Sequence, residues 1–89
     1  MRPAILFLFF RTLLPGQDEL DEWIRFGQAA YSKGNYTASQ TMFAEAWKIA
    51  ETLPNEDPKR YLILKRQAAA ASALGQYQEA EGFIQLAIN

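Results

Sequence analysis

The sequence has no cysteine and no histidine. Without cysteine there is no disulfide scaffold, no thiolate metal site, no thiol nucleophile and no redox motif. Without histidine the usual general base near neutral pH and the commonest metal ligand are gone. Neither sign of charge dominates: nine basic and ten acidic residues leave a net charge of −1. A whole-chain electrostatic footprint for nucleic acid is therefore absent. No apolar run reaches the ~20 residues of a membrane-spanning helix. What is present is 89 residues, 49 % of them hydrophobic. That is one small domain, with an expected stability on the order of 4–13 kcal/mol. These absences favour binding over catalysis.

The longest apolar stretch is Ala4 to Leu14, with Arg11 and Thr12 inside it. Arg2 and the apolar core fit a signal peptide, but Thr-Leu-Leu-Pro-Gly-Gln offers no small-x-small cleavage site. Residues 1–16 are read as an apolar segment, either a capping helix packed on the next helix or a signal or anchor. A cytoplasmic location is favoured, with export through this segment as the alternative.

Pro15-Gly16 is a stop. Asp18, Glu19, Asp21 and Glu22 then suit a helix N-terminus, where they face the positive end of the macrodipole. They lack the glycine and alternating oxygen ligands of a calcium loop. Trp23, Phe26, Gly27, Ala30 and Tyr31 come next at i, i+3, i+4, i+7, i+8, one face of a helix ending at Gly34-Asn35. A second helix is predicted with Thr37 as its cap and Gln40 three residues on. Its apolar face runs from Met42 to Leu53. Asp57-Pro58 starts a third helix, an N-cap aspartate with proline at the first helical position. That helix reaches about Leu74, and a fourth covers about Gln78 to Ile88. Connections of 2–5 residues make neighbouring helices antiparallel. Trp23 and Trp47 fall on apolar faces, which points to core packing.

Residues 17–48 and 58–89 align at an offset of 41, with six identities in 32 positions. Their placement matters more than their number. Gly34-x-Tyr36 and Gly75-x-Tyr77 stand at the same point of two helical hairpins. A small residue (Ser39, Ala80), a large one (Phe43, Ile84) and an alanine (Ala46, Ala87) come after them at matching steps. Glycine turns the chain, tyrosine plugs the hairpin, the small residue permits close approach and the large one fills the gap.

Trp23-x2-Phe26-Gly27-x2-Ala30, Gly34-Asn35-Tyr36, Ser39-x3-Phe43 and Ala46 resemble a tetratricopeptide repeat. The second copy carries Leu64, Gln67, Ala68, Ala71, Gly75, Tyr77, Ala80, Ile84 and Ala87, with Gln67 a polar departure at an apolar position. The family period is about 34. The surplus of seven lies between Ala46 and Leu64. It predicts a longer end to the second helix and a longer start to the third, similar to the long repeats of the kinesin light chain type. The resemblance implies an all-α fold: a right-handed superhelix of two antiparallel hairpins, 17–57 and 58–89, with residues 1–16 added as an apolar helix or segment. A plain four-helix bundle is the other architecture.

The resemblance also implies a non-catalytic module that binds a peptide or protein partner in a concave groove. By position, that groove exposes Asp21, Ile24, Gln28 and Tyr31 from the first repeat. The second adds Leu62, Lys65, Ala69 and Ser72, with Arg66 at the edge. Lys65 and Arg66 suit ligand carboxylates. The asparagines of the family's chaperone-tail clamp are missing here. Adjacent acids at a helix start are no converging acid–base site, and nothing points to a buried lysine beside Ser32 or Ser72. No metal, cofactor, nucleic acid or membrane partner is expected. Such arrays usually need three or more repeats. The chain is therefore read as a partial array, with Phe83, Ile84 and Ile88 uncovered and available for self-association.

Overall fold

The computed structural model describes residues 17–88. The expected N-terminal helix, signal or anchor lies outside the described residues. Four helices stand in order: α1 Gln17–Ser32, α2 Tyr36–Ala50, α3 Pro58–Ala73 and α4 Tyr77–Ile88. The described part is all-α, built of two helical hairpins. Packing is strong between each helix and the next in sequence, while α1 and α3 touch only lightly. Among the described residues, no helix is long and apolar enough to cross a membrane.

The turns depend on glycine. Gly34 and Gly75 sit at φ of 79° and 78°, a left-handed conformation that costs glycine little and other residues about 1–2 kcal/mol. Each closes its helix with the same pair of backbone bonds. Gly34 N–H donates to Tyr31 O and Asn35 N–H to Ala30 O; Gly75 N–H donates to Ser72 O and Gln76 N–H to Ala71 O. The two hairpins thus turn in the same way at the same offset.

The start of α3 is as read from the sequence. Asp57 is the N-cap, its carboxylate accepts from the Lys59 N–H at 2.9 Å, and Pro58 occupies the first turn. The start of α2 is not. Asn35 is the N-cap, with no side-chain bond, and Thr37 lies inside the helix. Because Gly34 reverses the chain at once, Ser39 N–H already reaches Asn35 O at 3.0 Å. Thr37 contributes its carbonyl, which accepts from the Thr41 hydroxyl. Part of the surplus of seven lies in the connection 51–57, which is longer than the 2–5 residues expected. Leu53 therefore lies beyond α2, and its N–H turns back to Ala50 O.

The core has two parts. Leu20, Ile24, Phe43, Ala46, Ala50 and Ile63 form one cluster across α1, α2 and α3, with Trp23, Trp47, Ile49, Leu53 and Leu62 packed against it. Ala68, Ala71 and Ala80, with Phe83, form the other between α3 and α4. The first cluster rests on a close approach of α1 to α2. A Cβ on Gly27 would stand 2.7 Å from the Phe43 ring, so only glycine admits that ring unshifted. Beside it the buried Ser39 hydroxyl donates to Gly27 O at 2.9 Å. In the second hairpin Ala68 and Ala80 hold the matching positions, both buried. Ile84, the match of Phe43, is 47 % exposed and does not fill a gap. Tyr36 packs edge-on against Tyr31, ring centroids 5.1 Å apart. Tyr77 is exposed and plugs nothing.

Gln67 is the polar departure at an apolar position, and it is buried at 6 % exposure. Its Oε1 accepts no hydrogen bond from the described residues. A buried acceptor left unpaired costs about 1–3 kcal/mol. Gln67→Leu is therefore expected to raise the unfolding free energy by about 1–2 kcal/mol. The check is a higher urea midpoint with unchanged slope; a lower midpoint would show that the amide has a partner worth keeping.

Candidate binding face between the hairpins

The residues assigned to the groove sit on α1 and α3, and their surroundings differ. Asp21 is half-exposed and accepts a salt bridge from Lys59 at 2.9 Å, which ties the start of α3 to α1. Ile24 is not exposed. It keeps 7 % of its surface and belongs to the larger core cluster, one turn from Leu20 on the same stripe. Leu62 is half-buried against that cluster. Ala69 is half-buried and Ser72 exposed. Lys65 is exposed, with its ammonium 5.6 Å from the centre of the Tyr61 ring.

Gln28 and Tyr31 of α1 come together with Arg66 of α3. With Ser32 they line a cavity of about 250 Å³. Four polar-tipped side chains from both hairpins thus face one space. The spacing of Gln28, Tyr31 and Ser32 at i, i+3, i+4 puts them on one side of the last turns of α1. Sequence reasoning singles out Ser32 only as a nucleophile to be dismissed. Its place at the end of α1, one turn past Gln28, is the signal that it belongs with the other two.

Arg66 is half-buried, and its Nε is enclosed without a hydrogen-bond partner. Among the described residues no acid within salt-bridge distance is found for it, whereas Lys48 and Lys59 pair with Glu45 and Asp21. The cavity therefore holds a cation whose charge the hairpins do not neutralise, together with hydroxyl and amide donors. Such a set suits a carboxylate, which a guanidinium binds through charge-assisted hydrogen bonds.

A second cavity, about 280 Å³, lies on the other side of α3 among Trp47, Arg60, Tyr61, Leu64 and Leu86. Its cation is already committed. The Arg60 guanidinium stacks over Trp47 at 4.9 Å and donates to Ala50 O at 3.2 Å, closing the C-terminus of α2. Among the described residues, no group of three or more acids is placed to hold a metal ion. No protein-family model, curated protein or solved structure matches the chain.

Proposed function

We propose that this chain is a non-catalytic interaction module of the tetratricopeptide-repeat kind, which binds a segment of a peptide or partner protein across the α1–α3 face. The observation that carries this reading is the cavity itself. Gln28, Tyr31 and Arg66 are groove residues by repeat register, they come from two hairpins, and they line one space. The packing order supports repeated hairpins over a closed bundle. A closed four-helix bundle wraps one core, with first and last helices in contact; here the core is split in two and packing runs from each helix to the next.

The unpaired Arg66 favours an acidic segment. The test is a titration of the labelled protein with short acidic, neutral and basic peptides, monitored by two-dimensional NMR. Acidic peptides are expected to shift the amides of Gln28, Tyr31, Ser32 and Arg66 first. Shifts centred on Trp47, Tyr61 and Leu86 would move the site to the other cavity, and a chain blind to all three classes would overturn the reading.

A further inference from the structure

The junction between the two hairpins is visible once, inside the chain. From α2 it takes Phe43 and Ala46, buried, and Trp47, half-buried. From α3, Ile63 joins the same core cluster, and Gln67 and Ala70 continue its stripe at i+4 and i+7, all three buried. A hydrogen bond from Gln40 Nε2 to Gln76 Oε1, 2.8 Å long, closes it at the turn.

The offset of 41 gives each of these positions a counterpart, and all but the half-buried Ala87 and Glu22 are exposed. On α4, Ile84 stands for Phe43 and Ile88 for Trp47, 47 % and 68 % exposed. Ala87 stands for Ala46, and Glu81 for Gln40. On α1, Phe26 stands for Gln67 and is 50 % exposed, and Ala29 stands for Ala70 and is exposed. Asn35 stands for Gln76. Phe26, Ala29, Lys33, Asn35 and Met42 line an open cavity of about 270 Å³ on this face. Only Glu22, in the place of Ile63, is a poor copy.

We propose that these two faces are the halves of one interface between copies of this chain. The α4 helix of one copy lies on α1 of the next as α2 lies on α3 within the chain. Ile84 and Ile88 supply the apolar contact, and Phe26 with Ala29 receives it. The polar contact improves on its template. Where Gln40 meets Gln76 inside the chain, the Glu81 carboxylate accepts from the Asn35 amide, with the Lys33 ammonium on the same wall. Two unlike faces meet, so the assembly is head to tail and each added copy leaves a free face.

The test uses the full 89-residue chain and two substitutions, Phe26→Glu on one face and Ile84→Glu on the other. Both side chains are half-exposed, so helicity by circular dichroism should be retained. In sedimentation velocity, the mass of the unsubstituted chain is expected to grow from micromolar to millimolar concentration. Each variant alone should stay monomeric. An equimolar mixture should give a 1:1 dimer and stop there, because the intact α4 face of the Phe26→Glu chain meets the intact α1 face of the Ile84→Glu chain. An unsubstituted chain that stays monomeric throughout overturns the proposal. So does growth that persists in the Phe26→Glu variant, which would mark a back-to-back pair or association through residues 4–14. A mixture that remains monomeric does the same.

Discussion

Phe43→Ala is expected to lower the unfolding free energy by about 3–5 kcal/mol, the largest loss any single truncation should cause here. The ring is fully buried and sits against Gly27, in the cluster that joins α1, α2 and α3. Gly27 costs α1 about 0.5–1 kcal/mol relative to alanine, and that cost is offset only while an aromatic ring occupies the space left by the missing Cβ. Truncation therefore leaves both a cavity and an uncompensated glycine. A chain near the low end of the expected stability, about 4 kcal/mol, would then be partly unfolded at room temperature. Ile84→Ala removes the residue at the same repeat position but is expected to cost only about 1 kcal/mol, since half of that side chain is already in water. Urea unfolding monitored by the fluorescence of Trp23 and Trp47 measures both. Equal losses at the two positions would mean that Ile84 is buried in solution at the concentration used, and the comparison should then be repeated under dilution. A Phe43→Ala loss below about 1.5 kcal/mol would show that α1 and α2 do not pack through Gly27.

The contrast between those two residues shows where the sequence was legible. Gly34, Gly75 and Asp57-Pro58 declare local backbone states, and each does in the structure what its chemistry requires. The helices and their hairpin order come from such signals plus apolar spacing. Burial is another matter, because it depends on which neighbour a face meets. Ile24 shares its helix face with Leu20, and packing with Phe43 and Ile63 takes it into the core, away from a groove. Tyr36 and Tyr77 look alike in sequence, but among the described residues Tyr36 has a ring beside it, supplied by Tyr31, while Tyr77 is exposed. Thr37 has the right spacing for a cap, yet the left-handed Gly34 lets Asn35 start the helix first. The surplus of seven predicts a longer end to α2 and a longer start to α3, but part of it loops out between them. Pro54, Asn55 and Asp57, three poor helix formers within four positions, favour that loop.

The candidate face was legible in part for the same reason. Register alone puts Gln28, Tyr31 and Arg66 on first helices, but not in one space. That depends on α3 lying beside α1, which the Lys59–Asp21 salt bridge at the far end of the two helices helps to set. Register also cannot separate Lys65 from Arg66. The structure can: the Lys65 ammonium lies by the Tyr61 ring, while Arg66 turns into the cavity with its Nε enclosed.

That difference gives the second large effect. Arg66→Glu is expected to weaken binding of an acidic peptide by roughly 10–100-fold, since a hydrogen bond to a charged group contributes about 1.5–3 kcal/mol and each 1.4 kcal/mol is tenfold. Arg66→Lys keeps the charge but loses the planar fork, so it should retain part of the affinity. Lys65→Glu, an exposed charge outside the cavity, should change affinity no more than about fivefold. Fluorescence anisotropy with a labelled acidic peptide separates the three, and added salt should weaken the unsubstituted chain more than the Arg66→Glu variant. Circular dichroism guards against misfolding: Arg66 is half-buried, so each variant must keep its helicity for the comparison to count. If Lys65→Glu and Arg66→Glu weaken binding equally, the peptide senses only the net charge of α3, and the cavity between the hairpins is not where it binds.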